Sequence, residues 1–359
     1  MPDVVLDSLV IGAGQAGLSA SYHLTRRGID HVVLDADDRP GGAWQHRWDS
    51  LTMADVHGVA DLPDAPAPER SSRRANEAVP AYFAEYELRH DLPVIRPVRV
   101  DRVESSGELL MVRAADRAWL MRTLVNATGT WTRPFVPHYP GAEAFRGEQL
   151  HTVDYPGADH LVGKRVLVVG GGASAVQFLG ELAPVTKTLW VTRREPVWRS
   201  DDFDREAGLA AVSRVAERVQ RGLPPASVVS VTGLALRPQE QRAAELGAYE
   251  RAPMFASIEP DGVRWGPAEG GRFEPVDVIL WATGFRPAVA HLAPLRLRSE
   301  YGGIALAAAP GGPQAATTAV NDPRVQLVGY GPSASTIGAN RAGRAAAAAV
   351  SRHLAQPAA

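Results

Sequence analysis

Two glycine-rich turns carry the most legible chemistry in this chain of 359 residues. In the first, Gly12, Gly14 and Gly17 form GxGxxG between the apolar run 9–11 and a helical stretch that Gln15 and Ala16 open. The first glycine permits the tight turn, the second lets backbone approach a pyrophosphate, and the third lets helix pack on strand. The helix N-terminus then points its free amides at the phosphates. Asp35 ends the next strand, where a carboxylate accepts hydrogen bonds from ribose hydroxyls. Gly41, Gly42 and Trp44 follow it. By themselves they read as a loop and a core aromatic, but placed after Asp35 they read as part of the same nucleotide site.

The order of strand, glycine turn and helix returns at 165–182, with a further strand near 189–192. This internal echo implies two nucleotide-binding units in one chain. Arg193 and Arg194 stand at the end of that further strand, where an NAD site would carry a carboxylate. A guanidinium pairs with a 2′-phosphate through two hydrogen bonds, so NADPH is favoured over NADH.

Composition narrows the chemistry further. The chain has no cysteine, which removes disulfides, thiolate metal sites, thiol nucleophiles and the redox dithiol of a disulfide reductase. No metal site is expected. Acidic and basic residues nearly balance, 40 against 38, so nothing suggests nucleic acid as a partner. Lysine occurs only at Lys164 and Lys187 amid abundant Ala, Gly, Pro and Arg. That bias resembles a bacterial composition and strips arginine counts of functional weight. The first residues show no basic leader, and no stretch approaches the roughly 20 apolar residues of a membrane span, so a cytoplasmic location is expected.

The elements that must position these residues follow from periodicity. A helix over 15–27 is closed by Gly28, and 31–35 is a strand. Residues 61–80, rich in Pro, Ala, Asp and Arg, should be irregular surface. A helix over 79–90 leads into strand-like 98–104, which contains Val100. Residues 205–221 and 239–250 read as polar-faced helices of the second unit, and 276–281 as a buried strand ending at Ala282-Thr283-Gly284. A last strand at 325–329 precedes an alanine-rich helix over 335–354. The expected fold is α/β, with two Rossmann-like dinucleotide-binding domains, the second inserted in the first. The first comprises 1–150 and 286–359, the second 151–285.

Gly12-Ala-Gly-Gln-Ala-Gly17 together with Gly41-Gly-Ala-Trp44 resembles the FAD half of the flavin-containing and Baeyer-Villiger monooxygenase superfamily. Gly170-Gly-Gly-Ala-Ser-Ala175 matches that superfamily's NADPH half, where alanine commonly replaces the third glycine. The resemblance thus implies that Gly170, Gly172, Ala173, Ser174 and Ala175 line the nicotinamide cofactor's pyrophosphate. Phe145, Gly147, His151 and Tyr155 fit the FxGxxxHxxx(Y/F) signature of flavin-containing monooxygenases. That motif is expected in a linker, with His151 positioning the NADPH domain rather than moving protons. Tyr155, where Baeyer-Villiger enzymes carry tryptophan, leans toward the heteroatom-oxidising branch. Ala127-Thr128-Gly129 and Ala282-Thr283-Gly284 resemble the paired crossovers between the two domains. Ser335 and Ile337, where the last helix opens, are expected against the flavin ring, and Val100 is counted among the cofactor contacts.

One departure stands out. Flavin-containing monooxygenases carry an asparagine after the first FAD loop, where this chain offers Ala54 or Asp55, so Asp55 or His57 is the expected substitute. The resemblance implies an FAD- and NADPH-dependent monooxygenase that oxidises a small organic substrate at N or S with molecular oxygen, through a flavin hydroperoxide. Baeyer-Villiger oxidation of a ketone, and an electron-transfer reductase or oxidase without oxygenation, are the alternatives. Oligomeric state stays open, a homodimer included.

Overall fold

The computed structural model describes residues 4–56, 59–198, 205–225, 234, 236, 238–309 and 312–356. The chain divides into two compact units. The first comprises Met1–Thr132, Arg205–Val228 and Pro287–Ala359, the second Arg133–Asp204 and Val229–Arg286.

The first unit begins β1 (Val5–Ile11), α1 (Gln15–Thr25), β2 (His31–Leu34), α2 (Ala75–Arg89), β3 (Val94–Ile95), β4 (Arg102–Ser106), β5 (Leu109–Ala114) and β6 (Arg117–Asn126). Parallel β1 lies between β2 and β6. The chain therefore leaves β1 toward one side of the sheet and later returns to its other side. That places a topological switch point at the carboxyl end of β1, where open α/β sheets bind ligands. The far edge of β6 is shared. Its first half pairs antiparallel with β5, and its last residues pair parallel with β16 (Asp322–Leu327), which carries β15 (Thr318–Ala319) at the rim. Leu9, Leu34, Leu124, Val325 and Leu327 are fully buried in the sheet's core, as expected for parallel strands covered on both faces.

Segment 61–74 is irregular and mostly exposed, as expected, with two exceptions in burial and an earlier helix start. Leu62 and Ala65 are buried, and α2 already begins at Ala75. Tyr82 Oη accepts from Leu62 N at 2.7 Å and donates to Ala65 O at 2.7 Å, while Tyr86 Oη donates to Pro63 O at 3.0 Å. The tyrosines of α2 thus satisfy the turn's backbone, a pairing that composition does not show. Proline favours a first turn, yet Pro80 sits inside α2 and packs on Gly41.

The second unit holds β7 (Glu148–His151), β8 (Arg165–Val169), α3 (Ala173–Leu182), β9 (Lys187–Val191), α5 (Pro238–Glu245), β10 (Arg251–Ala252), β11 (Ser257–Glu259), β12 (Gly262–Arg264), β13 (Phe273–Pro275) and β14 (Val278–Trp281). A five-stranded parallel sheet runs β10-β9-β8-β14-β7, and β11 to β13 form a small antiparallel sheet. Phe255, Trp265 and Trp281 join Leu167 and Val191 in its core. The signature segment is therefore no linker, because its residues 148–151 form the edge strand β7 paired with β14. The second unit starts at Arg133 rather than at 151.

Helix α4 (Arg205–Gln220) belongs to the first unit, not to the second as its sequence position suggested. Val215, Ala216 and Val219 are buried, and a Cβ on Gly331 would lie 2.8 Å from Val219. The last helix, α6 (Thr336–Leu354), crosses α1 closely. A Cβ on Gly343 would come within 2.5 Å of Ser19 Oγ. Among the described residues no helix is long and apolar enough to cross a membrane.

Candidate functional site

The glycines of the first turn do different work. A Cβ on Gly12, whose φ is +98°, would meet Ala127 O at 2.7 Å, and one on Gly17 would meet Gly12 O at 1.8 Å. Both are required by the protein's own backbone. Gly14 is not, since its φ is an ordinary −79° and its Cβ would meet only Gly42 Cα, at 4.0 Å. Glycine there keeps open a space that the protein leaves unfilled, as a pyrophosphate site requires. Gly42, at φ +50°, carries the second loop alongside, and a Cβ on it would lie 2.8 Å from Gly14 Cα. No side chain caps α1, so its first amides face this space. Gln15 donates to Ala60 O at 2.9 Å, and its Oε1 is buried without a partner. Ala16 is buried beside it.

Asp35 is buried at the end of β2, and burial raises its carboxyl above the ordinary range while Arg96 opposes that shift. Arg96 grips Asp35 Oδ2 from Nε at 3.2 Å and Nη2 at 3.0 Å, and bridges to Glu87 at 2.6 Å. Sequence reasoning missed Arg96 and Glu87. The only local signal was Arg96 preceding Pro97 in an unassigned stretch.

Trp44 closes the second loop against Arg47, whose Cζ lies 5.5 Å from the Trp44 ring and 4.5 Å from that of Trp131. Burial alone lowers the Arg47 guanidinium to about 10. His46 stacks on Trp131 at 6.4 Å and bonds Asp37 at 3.0 Å. Arg47, His46 and Trp131 carried no recognisable motif.

The first crossover is held by a relay. His291 Nε2 donates to Asn126 Oδ1 at 2.6 Å, Asn126 Nδ2 to Thr128 Oγ1 at 3.0 Å, and Thr128 Oγ1 to Ala288 O at 2.7 Å. Burial lowers the His291 pKa to about 4 and keeps the ring neutral. Gly129 takes φ +60° with nothing near its Cβ position. Val100 packs against the hydrophobic core of the first unit. Asp55 accepts a short hydrogen bond from Thr52 Oγ1. His57 lies outside the described residues, as does the side chain of Ile337, whose backbone is in α6. Ser335 caps α6 by accepting from Gly338 N at 3.1 Å.

The second turn repeats the logic of the first. Gly170 takes φ +138°, and its Cβ would meet Ala282 O at 2.2 Å, whereas Gly172, at φ −104°, has nothing within 4 Å. Ala173 and Ser174 open α3, and Ala175 is fully buried in the place that Gly17 holds in the first unit. Arg193 and Arg194 are exposed beyond β9. A third arginine, Arg251, which sequence reasoning missed, bonds Thr192 Oγ1 at 2.9 Å and Glu195 at 2.7 Å on the same loop.

The signature residues serve the second unit's own packing. A Cβ on Gly147 would strike Asp277 O at 2.3 Å and the Phe145 ring at 2.5 Å. His151 is buried. Its Nε2 meets Gly284 O at 3.0 Å, Nδ1 accepts from Val153 N, and burial lowers its pKa. Thr283 donates to Phe135 O, which further fixes the second crossover. Tyr155 packs on Phe178 of α3 with ring centroids 4.4 Å apart. The motif clamps β7 to β14, to the crossover and to α3.

Residues 9–225 match the pyridine nucleotide-disulphide oxidoreductase family, although this chain has no cysteine. A flavin-containing monooxygenase from Stenotrophomonas maltophilia superposes with a TM-score of 0.83 at 37% identity, covering 98% of this chain and 99% of that one. The chain belongs to the flavin-containing monooxygenase superfamily. Within it, a Baeyer-Villiger monooxygenase of Streptomyces coelicolor is 31% identical over 60% of this chain and 42% of its own length. The oxidoreductase CzcO of Bacillus velezensis is 28% identical over 54% of this chain and 60% of its own length. The chain thus spans about half the length of the curated relatives it matches.

Proposed function

We propose that this flavin-containing monooxygenase relative binds FAD at the Gly14 cradle and NADPH at the Gly172 cradle, and oxidises a small organic molecule at nitrogen or sulfur. The observation that carries this reading is the pair of glycines, Gly14 and Gly172, whose side-chain positions the protein leaves open. These two cofactors supply hydride transfer and the activation of molecular oxygen. Around them the chain's residues bind and orient. The first turns of α1 and α3 present amides to the pyrophosphates, Asp35 accepts from ribose hydroxyls, and Arg193 and Arg194 pair with a 2′-phosphate. Asp55, oriented by Thr52, takes the place of the family's asparagine, and His151 positions Gly284. Ketone oxygenation is the second reading, supported by the Streptomyces coelicolor relative.

The test is turnover of the purified yellow protein with methyl phenyl sulfide, dimethylaniline or cyclohexanone under air, with NADPH or NADH. Sulfoxide or N-oxide formed in step with NADPH consumption is expected, and ester from the ketone would favour the second reading. Quantitative peroxide without organic product would sink oxygenation. Equal use of NADH, unchanged in Arg193→Glu and Arg194→Glu, would sink the 2′-phosphate assignment.

A further inference from the structure

Arg47 has no role in this scheme, yet its charge lacks the partners that other enclosed arginines of the first unit have. Its Nε is buried with no hydrogen-bond partner. Among the described residues no carboxylate pairs with it, whereas Arg96 lies between Asp35 and Glu87, and Arg324 is held by Asp322. What Arg47 touches instead is the faces of Trp131 and Trp44, at 4.5 and 5.5 Å. Arg47 as a whole is half-buried, ring faces offset only part of the desolvation of its enclosed Nε edge, and a cation so enclosed ordinarily has an anion beside it. The position of the group is also informative. Trp44 lies on the turn that Gly42 brings against Gly14, and Trp131 follows Gly129 just beyond β6. The cluster is therefore built by the chain segments that leave the carboxyl ends of β2 and β6, the end of a parallel sheet where ligands bind.

We propose that Arg47, framed by Trp44 and Trp131, receives an anionic group of a ligand bound at this end of the first sheet. The flat guanidinium fork takes a carboxylate or phosphate oxyanion through two hydrogen bonds, and the indoles cover a planar body beside it. The oxyanion comes either from the substrate, as a carboxylate, or from the bound flavin nucleotide. The proposal rests on the flavin reading above.

The experiment uses the purified holoprotein, its Arg47→Gln and Arg47→Lys variants, and benzoate with its neutral isostere benzamide as probes. Tryptophan fluorescence reads probe binding, and the flavin midpoint potential and FAD retention on dilution read the cofactor. If the oxyanion is a substrate carboxylate, wild type binds benzoate at least about tenfold more tightly than benzamide, and Arg47→Gln loses that preference with its flavin potential unchanged. Arg47→Lys then keeps part of the preference, having charge without the fork. If the oxyanion belongs to the flavin nucleotide, the probes are not distinguished and Arg47→Gln releases FAD about tenfold more readily or lowers the flavin potential. Either pattern supports the proposal. It is overturned if wild type does not distinguish the probes and flavin potential and retention match wild type in Arg47→Gln, or in Arg47→Lys should the Gln variant not fold. The flavin reading fails separately, by a purified protein that carries no flavin or whose flavin NADPH does not bleach.

Discussion

Gly14 and Gly17 are identical in sequence and three positions apart, yet their substitutions should behave in opposite ways. A methyl at Gly17 would lie 1.8 Å from Gly12 O, so Gly17→Ala is expected to cost about 3 kcal/mol or to prevent folding, measured by urea unfolding. A methyl at Gly14 meets only Gly42 Cα at 4.0 Å. Gly14→Ala should therefore keep apoprotein stability to about 0.5 kcal/mol while weakening FAD binding on the order of tenfold or more. Undiminished flavin affinity in that variant would remove the basis of the cradle assignment. His291 gives a test in pH. Its folded pKa, about 4, lies below the unfolded value of 6.5 because of burial. The ring's contribution to stability is then complete above pH 6.5 and drains as pH falls toward 4, on the order of 3 kcal/mol. His23, also lowered to about 4, shares this acid limb. His291→Gln should flatten the limb in part, and a denaturation profile identical to wild type between those pH values would refute the assignment.

At the scale of elements, small residues decide how helices seat. Helix α6 turns Ala342, Ala346 and Val350 inward at helical spacing, each fully buried, and Gly343 brings its backbone against Ser19 and Ala20 of α1. Gly343→Leu is expected to destabilise the protein by about 2–3 kcal/mol through overpacking. A chemical denaturation midpoint equal to wild type would show that α1 and α6 yield where the geometry says they cannot. The signature segment was legible as a motif but not as an element. Its four matched residues stabilise an edge strand through contacts with Asp277, Gly284 and Phe178, all more than 20 residues away in sequence.

At the scale of the molecule, each unit has its own core and its own glycine turn, so on the proposed assignment ligand stabilisation should separate into two parts. Bound ligand stabilises by mass action, about 2.7 kcal/mol at a hundredfold excess over Kd. Adding FAD to apoprotein, and NADP to holoprotein, should each raise the melting temperature. Gly14→Ala is expected to blunt the first increment only and Gly172→Ala the second only. Scanning calorimetry of the four combinations checks this, and loss of both increments in either variant would contradict separate sites.

The sequence alone determined both glycine turns and the α/β alternation, because the need for a left-handed turn, a small residue and an open helix N-terminus is local and is written in adjacent letters. It also showed Asp35 at the end of its strand. Only the tertiary structure decided that Arg96, 61 residues on, orients Asp35. The same holds for Arg47 against Trp131, for α4 in the first unit, and for the pairing of β7 with β14. Apolar burial is non-directional and leaves the partner unspecified. An ion pair between distant residues has no period to reveal it, so these contacts exist only once the sheets have set the register.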